Sequence, residues 1–526
     1  MKRNLIIGSF LVVLLSFSGC TEWLNTKPES EIILEEYWKS ESDVQAVLAA
    51  CYRGMTESAV IYRMIVWGEL RSDNMINGSG FPSWLYDMQR ILEGNLTTVN
   101  TYASWGSFYT IINYCNTLLH YAPLVTERDN NFTEFDLKRV ESEALAIRAL
   151  AYFYLVRTFR EVPWIEDASI NDSQNYQKPK DTEQTIISNI IRDLLIARQN
   201  VPLDYGKKEY DKGRVTLGMV NSLLADVYLW NQEYDKCIEA CDQVLANKEY
   251  SLVTGRNLLS QVFYLGNSDE SIFELQFKEN VNENVAVQEL YGSSSKRMGS
   301  IGFPTTLTHD AGPPTNAPGA YSPFVYKVSS SVIESAEDVR ATDSYFSFGG
   351  GFFIFKYAGV MRLESTAGTS IYNHRSNTPN WIIYRLSDVM LMKSEALVQK
   401  QGAENFNKAI SLINETYLRS NEGADSLKVA NYGTKIEMEK LVLRERQREL
   451  LFEGKRWFDL VRVARRENST TTLNTYVDRK SSSATSATLG ALVMDAVYMP
   501  ISRWEIEANP KLIQNPFYEE NTSSNR

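Results

Sequence analysis

With 526 residues, 44% of them apolar and 23% charged, the chain has the make-up of a folded protein and is too long for one compact core. A formal charge of −11 at pH 7, with no segregated basic face, argues against nucleic acid as the ligand. His120, His309 and His374 are the only histidines and share no motif, so histidine-based metal or triad chemistry is not expected, whereas 29 Tyr, 22 Phe and 10 Trp supply many flat rings.

Lys2 and Arg3 precede an apolar run from Leu5 to Phe17 and then Ser18, Gly19 and Cys20, the order of a secretory signal too short to span a membrane comfortably. The cysteine after two small residues resembles a bacterial lipobox, with Phe17 where Leu is usual. Cleavage of residues 1–19 would leave a mature chain anchored through an acylated Cys20. No later apolar run is long enough to cross a bilayer.

Ser42 to Thr56 reads as the first helix, followed by an irregular stretch from Asp73 to Tyr86. Amphipathic patterns over Tyr102 to Tyr121 and Leu137 to Phe159 predict two more helices, and Thr185 to Gln199 another, closed by Pro202. Leu217, Val220, Leu224 and Tyr228 keep helical spacing. Asn231 and Gln232 mark a turn, and Tyr234, Ile238, Cys241 and Leu245 resume the period, so Thr216 to Leu252 looks like a tetratricopeptide hairpin. Such a hairpin cannot hide its apolar side alone, and neighbours must stack on it. Cys237 and Cys241 face the same way on that helix, without the second pair a zinc site needs.

Gly292 to Asn380 holds ten of the 28 glycines and six of the 15 prolines and interrupts the helices. Within it, Tyr345 to Phe348 and Phe352 to Phe355 flank Gly349, Gly350 and Gly351, which predicts a short β-hairpin. Ile383 to Leu418 resumes helix and suggests a second hairpin. Asp129-Asn130-Asn131 and Asn171-Asp172-Ser173 lack the alternation of a calcium loop, and no Gly-rich phosphate loop occurs.

Four blocks then resemble one family. Leu443 to Arg462, with Arg444-Glu445-Arg446 and Gly454-Lys455-Arg456-Trp457-Phe458-Asp459, matches its late signature. Arg148 to Arg157 within Glu143 to Pro163, Tyr384 to Met392, and Met499-Pro500-Ile501 with Glu505, Asn509, Leu512, Gln514, Asn515 and Pro516 match the others. The chain resembles the SusD/RagB outer-membrane lipoproteins. That resemblance implies a mostly α fold, a tetratricopeptide-like superhelix carrying loop-rich insertions. It also implies a non-catalytic protein facing the cell exterior that captures a nutrient oligosaccharide and passes it to a SusC-like TonB-dependent transporter, without a cofactor. The organisation expected is a signal at 1–19, helical parts at 20–280 and 383–526, and an insertion at 281–382.

Glu445, Glu449 and Glu453 lie four apart on one helical face, the spacing of a carboxylate set, but the cations Arg444, Arg446, Arg448, Lys455 and Arg456 around them point to an ion-pair network. A sugar chain needs exposed rings against its C–H faces and polar groups at the edges. In the first irregular stretch Trp84 and Tyr86 are the candidate platforms, with Asp73, Asn74 and Asn77 as edge partners. The insertion offers Tyr291, Arg297, Phe303, Tyr321, Phe324, Asn373 and Arg375. A peptide ligand, a surface glycoside hydrolase and a purely structural partner of the transporter are the alternatives.

Overall fold

The computed structural model describes residues 34–77, 86–170, 174–291, 306–308, 324–326, 333, 335, 337–348, 351–354, 356–357, 360–364, 369–374, 378–478 and 491–519. Ten helices carry the frame: α1 (Glu41–Thr56), α2 (Gly106–Thr126), α3 (Glu134–Phe159), α4 (Glu183–Ala197), α5 (Leu217–Trp230), α6 (Tyr234–Leu245), α7 (Leu386–Lys400), α8 (Ala403–Ser420), α9 (Lys435–Glu449) and α10 (Arg456–Glu467). Their starts are chemically marked. Ser40 with Asp43, Thr133 with Asp136 and Thr434 with Glu437 form capping boxes at α1, α3 and α9, satisfying N–H groups that no helical turn can reach.

Neighbouring helices pack as the sequence requires. α1 lies on α2, α2 on α3 and α3 on α4, while α5, α6, α7 and α8 form a second run against which α9 closes. α3 is the pillar, buried at every position from Ser142 to Phe159. Its alanines at 144, 146, 149 and 151 let partners approach from several sides, and all-round burial is the property of a helix inside the core. The α5–α6 hairpin turns at Asn231 and Gln232, as read, and Gln232 takes a positive φ of 61°. This tetratricopeptide-like stacking is the predicted fold class.

Among the described residues nine short strands decorate the frame: β1 (Met75–Asn77), β2 (Ser271–Leu275), β3 (Thr306–Thr308), β4 (Phe324–Tyr326), β5 (Tyr345–Phe348), β6 (Gly351–Ile354), β7 (Val360–Glu364), β8 (Thr369–His374) and β9 (Trp381–Arg385). β5 and β6 pair antiparallel with Phe348 opposite Gly351, so the hairpin at the three glycines forms with β6 starting one residue earlier than read. The insertion holds more β-structure than expected, since β3, β8 and β7 form a three-stranded sheet. Trp381 to Arg385 is a strand, which corrects the helix expected from Ile383. This aromatic and β-branched run pairs with the wholly buried Ser271–Leu275. The β2–β9 pair therefore closes the neck of the insertion against the core. Among the described residues no helix is long and apolar enough to cross a membrane.

Candidate ligand-binding surface

The surface grows from a π-helical turn, Val66–Leu70, pressed against the turn that follows α9. A Cβ on Gly68 would lie 1.9 Å from the Gly454 carbonyl oxygen, so only glycine permits this approach. The buried Glu69 carboxylate binds the two turns together, accepting from the backbone N–H of Phe452 at 3.3 Å and of Gly454 at 3.2 Å, and from Asn74 Nδ2 at 2.6 Å. Arg71 then stacks over Trp457 at 4.2 Å and donates to the carbonyls of Ala496 and Val497. The chain reaches β1 with its preceding side chains already fixed.

Asp73 and Asn74 are correspondingly not edge partners for a ligand. Both are fully buried. Asp73 takes a bidentate pair from Arg456, at 2.7 and 3.0 Å, and accepts from Gln447 Nε2 at 3.0 Å; Asn74 Oδ1 accepts from the same Gln447 amide at 2.7 Å. A buried carboxylate demands such partners, and the late block supplies them. Tyr291 is a second correction. Its ring is buried beside Tyr357 and Phe452, and its hydroxyl donates to the Phe452 carbonyl at 3.0 Å.

The remaining candidates divide by position. β1 pairs antiparallel with β4, placing Asn77 opposite Phe324, so the first irregular stretch and the insertion meet in one two-stranded ribbon. Tyr86, 58% exposed, opens the short helix Tyr86–Leu92 and carries Arg90 at 5.6 Å over its ring. That helix start is held by Asp87, whose carboxylate accepts from Thr101 N at 2.9 Å and Thr101 Oγ1 at 2.5 Å. Asn373 sits in β8 opposite Met361 of β7. Trp84, Arg297, Phe303, Tyr321 and Arg375 lie outside the described residues.

A further exposed ring was not singled out from the sequence. Trp504, 60% exposed beneath Arg503 at 4.8 Å, is held to the segment that Asp87 also grips: Arg503 N donates to the Thr98 carbonyl at 2.8 Å, and Ser104 Oγ to Glu505 at 3.0 Å. Trp504 and Tyr86 thus each adjoin a residue bonded to the segment 98–104. Their separation in sequence hides this, though Arg503-Trp504 beside a matched Glu505 was a visible hint of a ring with a cation at its face.

The three carboxylates of Glu445, Glu449 and Glu453 are structural, but they do not share one helical face as their spacing suggested: α9 ends at Glu449, and Glu453 lies in the turn that follows. Glu445 pairs with Arg340; Glu449 with Arg340, Arg385 and Arg419; Glu453 with Lys356 and Arg385, all within 3.0 Å and almost wholly buried. Their partners come from the insertion, β9 and α8. The nearby cations expected from the sequence mostly turn elsewhere: Arg446 to Asp388 and Asp459, Lys455 to Asp388, Arg456 to Asp73. Burial alone would raise Glu449, but Arg419, Arg385 and Arg340 outweigh it and hold the carboxyl well below the usual range. Glu453, likewise desolvated, is held down by Arg385 and Lys356. Neither keeps a proton to donate at neutral pH, so this row is not an acid–base pair. Among the described residues no cluster of His, Cys, Asp and Glu could hold a metal.

The model of the SusD family matches residues 265–518, and one described as starch-binding associating with outer membrane matches residues 22–229. SusD-like protein P38 of Formosa agariphila is 26% identical, covering 98% of this chain and all of that protein. A SusD superfamily protein from Bacteroides thetaiotaomicron superposes with a TM-score of 0.70 at 19% identity, over 91% of this chain and 99% of that one. A laminarin-binding SusD-like protein superposes with a TM-score of 0.65 at 21% identity, over 91% and 100%. These solved structures share the fold.

Proposed function

Since the chain belongs to the SusD/RagB family, we propose that it is a cell-surface lipoprotein, anchored through Cys20, that binds a nutrient oligosaccharide and delivers it to a SusC-like TonB-dependent transporter. It binds and hands over its ligand without altering it. The observation that carries this reading is the β1–β4 ribbon, which draws the stretch holding Asn77 and Tyr86 to the insertion holding Phe324. Exposed rings with cations at their faces, Tyr86 and Trp504, are the surface chemistry that stacks on sugar C–H groups. The laminarin-binding neighbour of the same fold supports a glycan over a peptide.

The test is a screen of glycans and peptides against the soluble form beginning after Cys20, with Tyr86→Ala, Trp84→Ala and Trp504→Ala alongside. Glycan binding weakened about tenfold by at least one ring substitution is expected, the loss of one stacking contact. A screen in which only peptides bind would replace the ligand class, and accumulating cleavage products would replace binding with hydrolysis. Detergent extraction of a complex containing a β-barrel transporter tests the delivery partner.

A further inference from the structure

Four cysteines are buried and unlinked among the described residues: Cys51, Cys115, Cys237 and Cys241. They form two pairs, one within a single helix and one between two helices, and in each pair the thiols lie in hydrogen-bonding reach of each other. Cys237 and Cys241 stand four apart on α6, where facing Cβ atoms are about 5–6 Å apart, beyond the roughly 3.5–4.5 Å a disulfide spans. Cys51 and Cys115 sit on different helices, α1 and α2, which pack on each other.

The spacing of those two helices can be read one turn away. A Cβ built on Gly54 would lie 3.9 Å from Ile111 Cβ and 2.9 Å from its Cγ1. Gly54 is one turn after Cys51, and Ile111 is one turn before Cys115, so in this antiparallel crossing the two cysteines occupy the next facing level. Their thiols touch. The hydrogen bond from Cys115, then burial, push the Cys51 thiol well up. One turn from the two cysteines, the helices therefore approach at the Cβ spacing a disulfide requires.

We propose that Cys51 and Cys115 are a disulfide site that staples α1 to α2 in the exported protein, a step resting on the reading of residues 1–19 as an export signal. The oxidant is a disulfide-bearing thiol oxidant of the extracytoplasmic space. One thiolate attacks its S–S bond, giving a mixed disulfide and releasing one thiol. The second thiolate attacks the protein sulfur of that mixed disulfide, forming the Cys51–Cys115 bond and releasing the other thiol. Two protein thiols are oxidised and one external disulfide is reduced to two thiols. Because both sulfurs are fully buried once α1 has docked, exchange occurs while the chain is still open during export, and the closed core then shields the bond from reductant.

The staple would have a mechanical role. α1 is the first long helix after the proposed lipid tether, and Glu35 and Trp38 just ahead of it are held by Arg128 beyond α2.

The full chain, extracted from its own cell envelope into denaturant with iodoacetamide and no reductant, is digested and mapped by mass. The expected result is a linked peptide pair joining Cys51 to Cys115, about 2 Da below the sum of the two reduced peptides, with Cys237 and Cys241 both alkylated. Reduction before alkylation should separate the pair and label all four. It should also lower the melting midpoint of the wild type while leaving Cys51→Ala/Cys115→Ala unmoved. Alkylation of Cys51 and Cys115 without reduction overturns the proposal, as does linkage of either to Cys237 or Cys241. The same spectra report whether the chain begins at an acylated Cys20, so failed pairing and failed export are read separately.

Discussion

Replacing Asp73 by Asn separates a strut from a ligand contact at the point where sequence and structure disagree most. The carboxylate accepts three hydrogen bonds: Oδ1 takes Arg456 Nε at 2.7 Å, and Oδ2 takes Arg456 Nη2 at 3.0 Å and Gln447 Nε2 at 3.0 Å. Asparagine keeps the shape but has one accepting oxygen. Whichever way the amide turns, its NH2 faces the N–H groups of Arg456 or of both residues, and the guanidinium, 2% exposed, loses its bidentate counter-charge. Breaking a buried pair from one side costs about 3–5 kcal/mol; the surviving acceptor places this case near about 3 kcal/mol. Urea unfolding of the soluble form should show that loss, while glycan affinity of the folded protein stays within about twofold, well under 1 kcal/mol. A variant of unchanged stability whose glycan binding collapses would refute the buried-strut assignment and return Asp73 to the ligand.

Gly68→Ala forces a methyl group to within 1.9 Å of the Gly454 oxygen and should cost at least about 3 kcal/mol, measured by chemical denaturation; near-wild-type stability would contradict the tight contact of these turns. Lys356→Met removes an ammonium that donates to the Glu449 and Leu451 carbonyls and to Glu453, so the insertion should become sensitive to limited proteolysis at a stability loss of about 2 kcal/mol, and an unchanged digestion pattern counts against that anchor. Burial would raise Glu395, but Arg462 and Arg466 prevail and hold it at about 2 against an ordinary 4.5. Because the folded pKa is depressed, the ionised group contributes stability above pH 4.5 that is lost as the pH falls through 2, about 3 kcal/mol in all. Urea midpoints followed into acid should fall more steeply for wild type than for Glu395→Gln, and parallel curves would show that Glu395 carries no such linkage.

The parts legible in the sequence were those set by local periodicity or turn chemistry. The α5–α6 hairpin follows from apolar spacing and a two-residue turn, and β5–β6 from rings flanking three glycines. Four apolar or aromatic residues at 381–384 do not distinguish a strand from a buried helical start; only Ser271–Leu275, over a hundred positions away, decides it. Asp73 and Asn74 read as exposed because polar residues in an irregular stretch usually are. Their partners Gln447 and Arg456 sit in a signature block whose own composition suggested local pairing. The ion network on α9 was foreseen as a network, but its wiring was not, since Arg340, Lys356, Arg385 and Arg419 approach through tertiary structure.

Lys356 and Arg340 belong to the excursion, yet they end in the carboxylates of α9 and of the turn that follows it. A chimaera taking this excursion from a relative would inherit its specificity only if the graft brought two cations to those stations. Without them, Glu445 would lose its closest cation and Glu449 and Glu453 would each keep only the arginines of the frame, so the recipient would be weakened as a protein before it could be judged as a receptor.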